Sequence, residues 1–99
     1  MSENQQIALQ KIQEAHDKQL KTLDLSHLHL TYLPDDIEKL RHIETLCLQH
    51  NKLHNLPAAI GQLSSLKVLD ASYTQISNIS RGIRKLNHLE ELHLQHNKL

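Results

Sequence analysis

A chain of 99 residues, 38% of them apolar, has room for one small core, and with no Phe or Trp and only two Tyr that core must be built from Leu and Ile. Its 11 Lys and Arg balance its 11 Asp and Glu without a basic cluster, which removes the electrostatic footprint that nucleic-acid or anionic-membrane binding needs. No run approaches the roughly 18 consecutive apolar residues of a membrane span, no secretory signal opens the chain, and the lone Cys47 has no internal disulfide partner, so a soluble, cytoplasmic protein is expected.

The first predicted element is a helix over SENQQIALQKIQEAH, residues 2–16. Ser2 followed three residues later by Gln5 is a capping-box signature, and Leu9, Ile12 and Ala15, with Ala8 beside them, form one apolar stripe. The helix and its exit turn account for residues 1–19 of what reads as a single domain, 1–99, and they are placed to cover the first core layer of whatever follows.

From Leu20 onward the chain is periodic. Leu20, Ile43, Leu66 and Leu89 recur every 23 residues, as do Leu23, Leu46, Leu69 and Leu92, and the string LQHNKL occurs twice, 46 residues apart. Each unit follows LxxLxLxxNxLxxLPxxIxxL, which gives repeats 20–42, 43–65 and 66–88 and a partial repeat 89–99. All 25 apolar slots of this pattern hold apolar residues, 24 of them Leu or Ile, far beyond what the overall composition would place there. The LxL segment has the period-2 alternation of a short strand, and LPxxIxxL has the spacing of a helical turn. One unit cannot bury its own Leu set, but stacked units can, with their strands parallel and about 4.8 Å apart.

This pattern resembles the leucine-rich repeat, in the 23-residue LPxxI subtype of Ras-associated and bacterial repeat proteins, over residues 20–99. The opening IALQKIQEAHDKQLKTLDLSHLHLTYLP is also similar to the segment that leads into the repeat domains of Roco-type GTPases and related bacterial proteins. The resemblance implies an α/β solenoid with short parallel strands on the concave face, short helical or irregular convex returns and an N-terminal capping helix. It further implies a non-enzymatic module that binds a partner protein on the concave face, in the cytoplasm or, for a bacterial effector, in the host cytosol.

In that family the ninth-position Asn, here Asn51 and Asn97, hydrogen-bonds backbone groups of its own and neighbouring turns. Leu28 holds the slot in the first unit, where no earlier repeat offers a turn to bond, and Thr74 holds it in the third with fewer bonds to give. The third unit also has Ala71 in a Leu slot and Ser80 in place of Pro, so it is expected to be the least stable, with Tyr73 the nearest residue in sequence to fill space beside Ala71. Since Leu99 lies mid-repeat, the chain reads either as a fragment, such as the N-terminal repeat segment of a multidomain signalling protein, or as a homodimer formed through the uncapped strand at residues 89–95.

The outward strand positions form columns across the units: Thr22, Thr45, Val68 and Glu91; Asp24, Cys47, Asp70 and His93; Ser26, Gln49, Ser72 and Gln95; His27, His50, Tyr73 and His96. Thr22, Asp24, His27, Thr45, Cys47, Gln49, His50, Val68, Asp70, Tyr73, Glu91, His93 and His96 are the predicted partner-binding residues, a polar face, acidic in its middle, that suits a polar or basic partner. A self-associating, metal-responsive or pH-responsive His column is the competing reading, although Tyr73 interrupts the column and Cys47 and His93 lie two strands apart, so no tetrahedral metal set closes. No Gly-rich phosphate loop, HExxH or GxSxG string is present, and an open strand gives Cys47 no pocket to orient it. No catalytic, cofactor-binding or metal-binding residue is assigned.

Overall fold

A computed structural model describes residues 2–99. Helix α1 (Glu3–Asp17) starts at Ser2, whose Oγ accepts the Gln5 amide at 3.1 Å, with Glu3 favourably placed in the first turn. The reciprocal half of the expected capping box does not form. Gln5 instead turns towards the first repeat, where its Oε1 accepts the Thr31 amide at 3.2 Å and its Nε2 donates to the Tyr32 carbonyl at 3.3 Å. The buried face of α1 is therefore Gln5, Ala8, Ile12 and Ala15, and Leu9, expected on the stripe, is only half-buried. Opposite the first turn of α1 the repeat presents backbone groups, so a carboxamide satisfies that position where an apolar side chain would not.

The helix ends in a Schellman motif. Gln19 adopts φ 52°, its amide donates to the His16 carbonyl at 3.3 Å, and the Leu20 amide donates to Ala15 at 3.0 Å. His42 Nε2 donates to the same Ala15 carbonyl at 3.1 Å, tying the helix end to the chain just before the second repeat.

After α1 come β1 (Thr22–Asp24), the 3-10 helix η1 (Asp35–Lys39), β2 (Thr45–Cys47), β3 (Asn55–Leu56), η2 (Ala58–Gln62), β4 (Val68–Asp70), β5 (Asn78–Ile79), η3 (Arg81–Lys85) and β6 (Glu91–His93). β1, β2, β4 and β6 form a four-stranded parallel sheet in that order. The register sets Thr22, Thr45, Val68 and Glu91 side by side, so each strand pairs with the same positions of the unit 23 residues away. A second small parallel sheet, β3 with β5, lies on the return path. The strand-turn-helix reading of each unit did not anticipate it, because two paired residues leave no alternation to detect.

The three 3-10 helices open at Pro34, Pro57 and Ser80, all extended with φ between −72° and −62°. Ser80 holds the conformation without a ring because its Oγ accepts the Gly82 amide at 3.0 Å. The returns pack closely: a Cβ built on Gly61 would lie 2.6 Å from the Gly82 carbonyl oxygen, and one on Gly82 2.6 Å from that of Ala58. Both glycines are thus required by backbone approach.

The apolar slots of the second unit, Ile43, Leu46, Leu48, Leu53, Leu56, Ile60 and Leu63, are completely buried. Burial loosens towards the ends of the described stack. Leu20 is 37% exposed, Ile79, Ile83, Leu89 and Leu94 are half-buried, and Leu92 is 42% exposed on β6, at the sheet edge. Ala71 is fully buried, but Tyr73 does not fill the space beside it; its ring lies outside the core, 46% exposed.

Candidate functional site

The sheet's solvent face is positioned by the turn that ends each strand, and Asn51 locks that turn. Its Oδ1 accepts the Leu28 and Leu30 amides at 3.1 and 2.9 Å, and its Nδ2 donates to the Leu25 and Leu48 carbonyls, both at 2.9 Å. Asn97 repeats the arrangement one pair of units later, accepting the Ile76 amide at 2.8 Å and donating to Ala71 and Leu94 at 2.8 and 3.0 Å. The bonds run back to the preceding unit. This gives Leu28, with no unit before it, nothing to bond, and it packs part-buried against the core instead. Thr74 donates to Asn97 Oδ1 at 2.7 Å and otherwise only approaches the Leu53 carbonyl, at 3.4 Å.

Beyond the three-residue strands the parallel pairing continues to the eighth position of each unit. The amides of His27, His50 and Tyr73 donate to the carbonyls of Gln49, Ser72 and Gln95 at 3.2, 3.1 and 3.0 Å. There the chain must turn sharply, and His27, His50, Tyr73 and His96 all adopt left-handed conformations, with φ between 55° and 59°. Such a conformation costs a non-glycine residue about 1 kcal/mol. The common conformation aims the four rings alike, and they stack in one continuous ladder: centroid separations are 4.5, 4.7 and 4.2 Å, with planes inclined by 12°, 11° and 15°. Each stacked pair contributes about 0.5–1.5 kcal/mol, which offsets part of that strain.

Stacking also fixes how the imidazoles of this column present their nitrogens. Ring nitrogens carry their lone pairs in the ring plane, so parallel rings aim them side by side and not at a common point. Among the described residues no three His, Cys, Asp or Glu side chains converge on a possible ion position.

Within the strands, Asp24 accepts both the amide and the hydroxyl of Ser26 at 2.9 and 2.6 Å, and Asp70 accepts those of Ser72 at 3.0 and 2.6 Å. The Ser26 hydroxyl, with its amide, holds the Asp24 carboxyl below the usual range. Cys47 lies between the two aspartates in register. Burial first, then the charges of Asp24 and Asp70, push its thiol up. That is the reverse of what a thiolate nucleophile requires. His93 Nε2 lies 3.6 Å from Glu91 Oε1 on the edge strand, and Glu44 sits between Lys21 and Lys67 at 3.8 and 3.7 Å.

Of the predicted partner-binding residues, Thr22, Asp24, Glu91, His27, His50, Tyr73 and His96 are exposed and Thr45, Cys47, Val68, Asp70, His93 and Gln49 half-buried, and the register brings the strand residues into adjoining rows. Gln49 offers less than expected, since its carboxamide oxygen is enclosed and unbonded among the described residues. Ser72, an outward position by strand alternation, is buried, its hydroxyl donating to Asp70.

The family model of the leucine-rich repeat region matches residues 1–98. The chain belongs to the leucine-rich repeat family. This leucine-rich repeat chain is 43% identical over 51 residues to a volume-regulated anion channel subunit of Homo sapiens, a match covering 52% of the chain and 6% of that protein. It is 37% identical over 61 residues to the leucine-rich repeat protein soc-2 homolog of Drosophila virilis, covering 62% of the chain and 10% of that protein. A solved leucine-rich repeat protein of Leptospira interrogans superposes with a TM-score of 0.79 at 36% identity, over 81% of this chain and 20% of the other. The chain thus spans a tenth or less of the curated relatives it matches. Leucine-rich repeat proteins are generally protein-protein interaction modules.

Two features of this leucine-rich repeat chain escaped the sequence reading. The ring ladder had a signal, four ring-bearing residues at one repeat position, but their shared left-handed backbone conformation had none. Gln5 as a hydrogen-bonding cap on the first turn was hidden by its capping-box spacing.

Proposed function

We propose that this chain is a non-enzymatic recognition module that binds a protein partner through the solvent face of the four-stranded sheet. The observation that carries the reading is the register itself, which sets Thr22, Thr45, Val68 and Glu91 beside Asp24, Cys47, Asp70 and His93 in two rows of polar and small side chains. The ring ladder borders these rows and supplies stiff edges at low entropic cost. With Asp24 ionised against Ser26 and Asp70 matched to Ser72, the face favours a polar or basic partner surface.

The reading carries the finer assignments with it: a solenoid of the 23-residue LPxxI subtype, α1 as its N-terminal cap, and a cytoplasmic location. The contacts of Gln5 with Thr31 and Tyr32 support the cap. A photo-crosslinking residue placed at Val68, compared with one at the exposed Gln10 of α1, tests the binding face. Adducts to a heterologous protein from position 68 and none from position 10 are expected. Equal adducts from both, or none from position 68, would refute it.

A further inference from the structure

The returns on the opposite side of the molecule carry a pattern that sheet-face recognition does not use. At the first position of the three 3-10 helices stand Asp35, Ala58 and Arg81, and at the fourth Glu38, Gly61 and Arg84. Both columns run acid, small, base across the stack. η1 packs on η2 and η2 on η3, and Asp35, Glu38, Ala58, Ala59, Gln62 and Lys85 line one shallow groove of about 290 Å³. Asp35, Glu38, Arg81, Arg84 and Lys85 are exposed, and among the described residues none of them has an ion-pair partner. Lys39, at the end of η1, is by contrast held 3.6 Å from Asp36.

Such a face is complementary to itself. A two-fold axis running along η2 in the plane of contact inverts the order of the units, so η1 of one copy meets η3 of the other. Asp35 then faces Arg81 of the second copy, Glu38 faces Arg84 of the second copy, and both pairs occur twice. Ala58 meets its own symmetry mate at the centre, where the absence of long side chains lets the backbones approach. We propose that the face formed by η1, η2 and η3 is a self-association surface that pairs two copies of this chain antiparallel. Three short turns make a small contact, below about 1,200 Å² in total, of the weak and reversible class, and its charges make it sensitive to salt.

The test is sedimentation equilibrium of the wild-type chain up to about 1 mM at low ionic strength, together with two charge-reversed variants. One carries Asp35→Lys and Glu38→Lys, so that its whole face is basic; the other carries Arg81→Glu and Arg84→Glu, so that its face is acidic. Circular dichroism of each verifies that it folds. The wild type is expected to approach twice the monomer mass and to lose at least tenfold in association constant between about 20 and 500 mM salt. Each variant alone should remain monomeric, and an equimolar mixture of the two should associate again. A monomeric wild type overturns the proposal. So does a dimer that both variants retain, which would place the contact elsewhere, for instance at the β6 edge, residues 89–95.

Discussion

Asn51 makes four hydrogen bonds from one side chain, two as acceptor and two as donor, and no other residue type of that size can do both. Asn51→Ala leaves buried amides and carbonyls of two units without partners and should cost about 2–4 kcal/mol, read as a shift in denaturant midpoint. Asn51→Asp should cost nearly as much, because a carboxylate cannot donate to Leu25 and Leu48. Tyr73 belongs to the same turn but acts differently. Tyr73→Ala removes two stacked contacts and keeps a left-handed backbone, for a loss of about 1–2 kcal/mol. Tyr73→Gly should be the milder change, since glycine takes φ 55° freely. If the alanine variant proved as stable as wild type, the ladder would have no structural role. Asp24 adds a pH dependence whose sign is fixed by its hydrogen bonds. Its carboxyl is lowered in the folded state, so its contribution is present above the unfolded carboxylate value and is lost as pH falls through the lower folded one. Ser26→Ala should therefore reduce stability near neutral pH and leave it unchanged at the acid limit.

Among the elements, the returns tolerate least. Gly82→Ala would set a methyl group 2.6 Å from the Ala58 carbonyl oxygen, and the backbone cannot move without parting η2 from η3, so a loss of about 1–3 kcal/mol is expected in thermal unfolding. An unchanged melting temperature would mean that the two returns can separate freely. The elements also mark how far the chain could be read in advance. The 23-residue spacing of Leu and Ile located the strands, their parallel register and the 3-10 turns, because burial on one side imposes the same spacing on every unit. It also located Asn51 and Asn97, because the turn that each one locks recurs with the same period. The ring ladder and the role of Gln5 stayed hidden because each depends on a neighbouring unit or element: the first on rings stacked across units, the second on backbone groups of residues 31 and 32 that face α1. The expected packing of Tyr73 beside Ala71 failed as well. Nearness in sequence suggested the contact, while the left-handed turn at Tyr73 keeps the ring outside the core.

For the molecule as a whole, the stack separates its surfaces. Carboxylates, hydroxyls and one thiol lie on the sheet, four rings run along its border, and the returns hold acid at one end and base at the other. A sheet face held by a Leu and Ile interior that is completely buried in the second unit needs little rearrangement on binding, which reduces the ordering cost of recognition. The most direct test of sheet-face recognition is the affinity for the captured partner, measured calorimetrically, of a variant carrying Val68→Lys on β4 and Glu91→Lys on β6. The account predicts at least a tenfold loss of affinity with a melting temperature within a few degrees of wild type. Unchanged affinity in a folded variant would contradict it, and recognition would then have to be sought on another face.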